Sequence, residues 1–221
     1  MSVLRGKSLA MRLLTLLLLL HFTIQAEAAR GQVPTSDPES SGWTLESDED
    51  GVKIYVRPED NGDMSVRVRT AATATVEQVQ AVIDNAVDYP EWVHRCAEAR
   101  VLPGGTPAAY TYYSLIDLPF PFSDREVVAA IEQRTDPVSG VYTRDITSTP
   151  NAVPVTKGPE RVETYEARWI VSPQGTGRVT IECTVRTAAG SGLPNWLRTE
   201  VMTGGPAKTV VNLVERLERG K

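Results

Sequence analysis

Cysteine, phenylalanine and histidine are scarce in this 221-residue chain: two Cys, three Phe and two His, one of which, His21, falls in an N-terminal apolar stretch. Two cysteines cannot make a disulfide-dense scaffold. With His94 as the remaining histidine, and with no Gly-x-Ser-x-Gly, Cys-x-x-Cys, His-Glu-x-x-His or P-loop spacing, nucleophilic-triad and zinc chemistry are poorly supplied. Lysine is also rare, 5 of the 23 basic residues, and 28 acidic residues outnumber the bases to a net charge of −5. That balance leaves no surplus for neutralising the phosphates of a nucleic acid, and it disfavours an electrostatic grip on anionic headgroups. No segment repeats at a fixed period and no low-complexity tract occurs. What is present, 41% hydrophobic and 23% charged residues, is the composition of an ordinary folded protein with room for one domain or barely two.

The N-terminus follows different rules. Arg5, Lys7 and Arg12 precede Leu13 to Ile24, 12 residues broken only by Thr15, His21 and Thr23, and Ala26-Glu27-Ala28 has the form of a small-residue cleavage site. A spanning helix wants about 20 apolar residues, so residues 1–28 read as a secretory signal peptide rather than a permanent anchor. The expectation is an exported protein, periplasmic or extracellular. Its chain would start near Ala29 and carry 20 basic and 27 acidic residues. Residues 29–41, rich in Pro and Ser and without apolar periodicity, read as a flexible linker, and 42–221 as one domain.

Inside that domain strand signals dominate. Val52, Ile54 and Val56 alternate with polar or aromatic neighbours, as do Val66 and Val68, and as do Val179, Ile181, Cys183 and Val185. Alternation of this kind marks antiparallel sheets covered on one face. Segments 110–117, 125–133, 141–147 and 161–171 bring the expected strands to about seven. Thr75 and Gln78 stand at capping-box spacing before Val76, Val79, Ile83 and Ala86, which predicts a helix over 76–87. A second helix is expected over 194–219, its apolar stripe running through Leu197, Val201, Val210, Leu213, Val214 and Leu217, with Gly204-Gly205-Pro206 kinking or interrupting it. The fold class is therefore α+β, a curved antiparallel sheet wrapped around a long C-terminal helix.

Landmarks in a fixed order carry a family resemblance: Trp43, Gly51 to Arg57, Asp88-Tyr89-Pro90-Glu91-Trp92, Leu118 to Glu126, Leu193 to Leu197, and Gly205-Pro206-Ala207-Lys208-Thr209. The set resembles the START-domain family of lipid-transfer and lipid-binding proteins, in the helix-grip, Bet v 1-like superfamily. The resemblance implies a tunnel between sheet and C-terminal helix for one hydrophobic ligand such as a sterol or phospholipid. It also implies a mouth formed by the loop Leu118 to Ser123 with that helix. An N-terminal helix often precedes the sheet in the family, whereas here the linker runs almost directly into Trp43.

Independently of the resemblance, Pro119 and Pro121 lack the N–H groups a strand ladder needs, which places Phe120 and Phe122 on a loop that gates a cavity, touches a membrane or covers core. Trp169 shares a face with Tyr165, Ala167 and Val171, and Trp196 and Leu197 open the final helix. Each is a cavity candidate or simple packing. Arg125 lies on the face of Val127, Ala129 and Ile131, where its guanidinium needs a carboxylate, with Asp117 and Glu126 nearby, or a ligand oxygen. The candidate ligand-binding set takes Tyr113, Leu115, Arg125, Trp169 and Ile181 from the strands. It adds Phe120 and Phe122 from the loop, Trp196, Leu197 and Val201 from the helix, and Trp92. Cys96 and Cys183 are chemically free to pair after export, or to act as small hydrophobes.

These residues predict a monomeric, cofactor-free, metal-free carrier of a lipid or other hydrophobic small molecule, with transient membrane contact and no nucleic-acid partner. Burial of about 0.8 kcal/mol per CH₂ would drive uptake. Two alternatives compete with it: a cyclase or aromatase using the same cavity, with His94 beside Tyr112 or Tyr113 as the reactive set, and an interaction domain with a filled core.

Overall fold

A computed structural model describes residues 42–60, 63–155, 157–188 and 193–220. The signal segment and linker expected over 1–41 lie outside the described residues. Ten strands form one sheet: β1 (Thr44–Glu49), β2 (Val52–Pro58), β3 (Met64–Ala72), β4 (Cys96–Val101), β5 (Ala109–Ile116), β6 (Arg125–Thr135), β7 (Tyr142–Ser148), β8 (Glu160–Arg161), β9 (Tyr165–Pro173) and β10 (Val179–Thr187). Their order is β1-β2-β3-β10-β9-β7-β6-β5-β4, all antiparallel, with the two-residue β8 added parallel to β6.

The two six-residue strands absent from the sequence expectation are the sheet edges. β1 reads Thr-Leu-Glu-Ser-Asp-Glu and is largely exposed, and β4 is buried only at Cys96 and Ala99. Each carries a register shift, between Leu45 and Ser47 and between Cys96 and Glu98. An edge strand with a bulge has neither the apolar content nor the strict period of two that the other strands display.

The alternation sets the covered face. One row of inward residues crosses seven strands through the paired positions Val56, Val66, Val185, Ala167, Ile146, Ile131 and Tyr110. Against it packs the last helix, α4 (Gly205–Arg219), by Ala207, Val210, Leu213 and Leu217. Helix α1 (Val76–Asp84) has the predicted capping box, with both Thr75–Gln78 bonds present, and buries Val76, Val79 and Ile83. It stops at Asn85 rather than continuing to Val87, because Ala86–Asp88 tighten into a 3₁₀ turn leading to the short helix α2 (Tyr89–Trp92).

The expected break near Gly204 takes a specific form. Helix α3 (Asn195–Thr199) runs into a π turn over Glu200–Gly204 and then into α4, so the path stays helical, and the Gly205 N–H donates to the Glu200 carbonyl five residues back. Pro206 has no N–H to keep the α pattern, and the widened turn absorbs the mismatch.

Candidate functional site

Three segments converge where β6 begins and β10 ends. They are the corner Val93–Arg95 after α2, the loop 117–124 between β5 and β6, and the π turn with the start of α4. Between them lies a cavity of about 140 Å³. Ile116, Leu118, Val127, Val162, Val185 and Val201 give it mostly apolar walls, and His94, Arg95, Arg125 and Glu200 supply its ionic groups.

The wall formed by the corner is stitched to the final helix by polar contacts. The His94 backbone N–H donates to Thr209 Oγ1 at 3.1 Å, and Asn212 Nδ2 donates to the Trp92 carbonyl at 2.9 Å. Arg216 pairs with both Asp88 and Glu91. His94 Nε2 meets Glu200 Oε1 at 2.8 Å, and the same oxygen accepts from Lys208 Nζ at 2.7 Å. Lys208 first, and His94 after it, hold the Glu200 carboxyl below its ordinary value against the opposing pull of partial burial. Gly204 leaves room for the carboxylate, since a Cβ there would stand 2.6 Å from Glu200 Oε2.

The facing wall is built differently. In the loop, Leu118 N–H donates to Asp124 Oδ1 at 3.0 Å and Phe122 N–H to the Pro119 carbonyl at 3.1 Å, and its further bonds run to the corner and the sheet, from Asp117 N–H to the Arg95 carbonyl and to the Ser123 and Asp124 carbonyls from Arg125 and Glu160. Leu118 and Phe122 reach α3 and the π turn through an apolar cluster of Leu118, Leu193 and Leu197 with Phe122 and Val201, separate from the main core. Among the described residues no hydrogen bond or ion pair joins this loop to the helix. Phe120 is 97% exposed and Trp196 59% exposed. Each is next in sequence or two residues away from a member of that cluster, whose Leu118 and Val201 also line the cavity.

A START domain model matches residues 23–221. The chain belongs to the START-domain family. An uncharacterized protein of Pseudomonas aeruginosa is 30% identical over 204 residues, 91% of this START chain and 98% of the relative. Among solved structures, a STAR-related lipid transfer protein fragment from Xanthomonas axonopodis aligns at TM-score 0.72 and 24% identity, covering 80% of this chain and 99% of that one. Human StAR-related lipid transfer protein 5 aligns at TM-score 0.70 and 14% identity over 96% and 98% of the two chains. At these identities the structures show a shared fold, the helix grip expected from the landmarks.

Within this START domain the sequence-derived candidates scatter into four places. Arg125 and Val201 line the cavity, with Phe122 and Leu197 in the adjoining apolar cluster. Phe120 and Trp196 stand in solvent at the rim. Trp92, Trp169 and Ile181 sit in the main core, where the Trp92 and Trp169 rings meet edge to face with centroids 6.5 Å apart. Tyr113 and Leu115 require correction. On β5 the inward residues are Tyr110 and Tyr112, so the odd-numbered positions face the other side of the sheet, and Tyr113 lies under the Arg100 guanidinium at 4.1 Å. Nor does the His94 constellation assemble, since Tyr112 belongs to the core and Tyr113 to the opposite face.

Arg125 takes the ion-pair alternative, with a partner neither proximity suggestion named. It bonds Glu160 Oε2 at 2.7 Å and the Ser123 carbonyl at 2.8 Å. Glu126, one residue on and therefore on the opposite face of the sheet, is fully buried there and pairs with Arg161 at 3.0 Å, and Asp117 is exposed. Cys96 and Cys183 are both free and buried, with burial raising the Cys96 thiol to about 11 and the Cys183 thiol further. Among the described residues no group of three or more His, Cys, Asp or Glu is placed to hold a metal ion.

The cavity residues missing from the sequence-derived set are Val93, His94, Arg95, Val127, Val162, Val185, Pro206 and Thr209, among others. Val127 and Val185 were reachable by counting by two from Arg125 and Ile181. Nothing in the local pattern marks Val162 or Arg95.

Proposed function

We propose that this protein binds a hydrophobic small molecule, a lipid or a molecule of similar character, between its sheet and final helix, without chemistry, and exchanges it at a bilayer surface. The observation that carries the reading is an apolar cavity whose loop wall meets the final helical segment by apolar contact alone, with two exposed aromatics beside that contact. A volume near 140 Å³ is close to that of cavities of about 150 Å³ that admit benzene, and well short of the roughly 300–1,000 Å³ of drug-sized pockets. A long-chain ligand therefore requires the loop wall to move out. The solved relatives named as lipid transfer proteins support the same ligand class.

Exposed Phe and Trp favour the bilayer interface, while the net charge of −5 argues against attraction by anionic headgroups. Membrane contact is thus apolar and only weakly salt-dependent. The signal-like N-terminus supports an exported setting, which N-terminal sequencing of the protein from its host checks. A start near Ala29 agrees, and an intact Met1 refutes it.

Native mass spectrometry of the protein isolated from its own host tests the main reading. A co-purified lipid displaced by added lipid is the expected result. Protein that is empty and takes up no lipid from vesicles would overturn it.

A further inference from the structure

Among the described residues every ionic group of the cavity wall but one has a counter-charge. Arg125 is answered by Glu160, and Glu200 by Lys208 with His94 beside it. Arg95 lines the same cavity, and among the described residues it makes no ion pair and no side-chain hydrogen bond. Its Nε is buried without a partner. A guanidinium offers five donors in a planar fork and stays charged at any working pH. Leaving such a group half-buried beside apolar walls is costly unless something accepts from it.

The backbone adds a second, independent observation. Cys96 N–H donates to the Val93 carbonyl at 3.1 Å, closing a four-residue turn whose third residue is Arg95 at φ 58°. That position favours glycine or asparagine. The chain has such a residue pair elsewhere, in the Asp50-Gly51 hairpin, where Asp50 at φ 51° is followed by Gly51 at φ 77°. At the corner a long cationic side chain occupies the left-handed site instead, and strain of this kind gathers where ligands are held. The Arg95 carbonyl is fixed by the Asp117 N–H at 2.8 Å, so the corner cannot easily relax.

We propose that Arg95 is the anion-recognising residue of this cavity, taking the carboxylate or phosphate oxygens of an amphipathic ligand whose apolar part lies against Ile116, Val127 and Val185. The inference rests on the hydrophobic-ligand reading above and adds the charge and placement of the polar end.

Calorimetric titration with octanoate, octyl phosphate and 1-octanol tests it on the full chain. The wild-type protein binds one or both anions at least about tenfold more tightly than the alcohol, as a charge-assisted bond implies. The better of the two tells a carboxylate from a phosphate source. Arg95→Asn, which suits the left-handed backbone, brings that preference to within about twofold, and Arg95→Lys keeps part of it. In the wild type alone, raising salt weakens the anion and not the alcohol. Equal affinity for all three probes, or an undiminished preference in Arg95→Asn, overturns the proposal while leaving alcohol binding to support the cavity. Absence of binding by all three probes overturns both.

Discussion

The two walls of the cavity are held by opposite means. The segment 91–95 is tied to α4 by Arg216, Asn212 and Thr209 and to the π turn by Glu200, four polar contacts whose partners lie more than 100 residues away in sequence. The loop at 118–124 is hydrogen-bonded within itself and to the sheet, and among the described residues it meets the helical segment through the apolar cluster of Leu118, Phe122, Leu193, Leu197 and Val201. Directional bonds fix a register, whereas apolar contacts can slide, part and re-form with another apolar partner in between. A ligand tail that enters here replaces Leu and Phe contacts with its own and breaks no hydrogen bond between loop and helix. The same entry on the corner side would expose several donors and acceptors at once.

A change inside the apolar wall should act most strongly. Leu197 is fully buried and is shared by loop and helix. Leu197→Ala is expected to cost about 2–4 kcal/mol in urea unfolding, and to speed release of a bound fluorescent fatty acid at least tenfold in stopped-flow mixing. A stability loss with release unchanged would show that the loop side is not where exchange happens. The rim should behave in the reverse manner. Phe120→Ala removes a side chain that is 97% exposed, so stability should stay within about 0.5 kcal/mol, while binding to zwitterionic phosphatidylcholine vesicles falls roughly tenfold. Unaltered vesicle sedimentation would detach Phe120 from any membrane role.

How much of this was legible in the sequence follows from which forces repeat along the chain. Period-two burial is a local signal, so the central strands and their inward faces could be read from β2, β3 and β10 directly. The capping box of α1 and the disturbance at Gly204-Gly205-Pro206 were equally local. Pairings across more than 100 residues are not, and the link from His94 to Glu200 left no trace in either segment. Face assignment failed at Tyr113 and Leu115, since β5 reads Ala-Tyr-Thr-Tyr-Tyr-Ser-Leu-Ile with apolar or aromatic residues at both parities. Arg125 was placed on the correct face by counting, yet its partner Glu160 arrives on β8, a two-residue strand that no periodicity can announce. The plainest signal of Arg95, its positive φ, belongs to the backbone alone, because arginine is not a residue that sequence reading expects in such a turn.

The smallest effect probes the stitched corner itself. Glu200 accepts from Lys208 and meets His94, and these partners hold its carboxyl below the ordinary 4.5. A carboxyl lowered in the folded state adds stability above its unfolded value, and the contribution disappears as the pH drops through the lowered one. Glu200→Gln keeps the size and loses the charge, so at neutral pH it should cost about 0.5–1 kcal/mol, the range of a partly exposed pair. The gap between variant and wild type should then narrow in urea titrations as the pH falls from 4.5 through the lowered native value, where the native carboxyl also loses its charge. Because the Thr209, Asn212 and Arg216 contacts remain, the variant should release ligand at close to the wild-type rate. A gap that is constant with pH would mean that Glu200 supports the π turn by shape rather than charge. Release as fast as in Leu197→Ala would mean that the corner, not the loop, is the wall that opens.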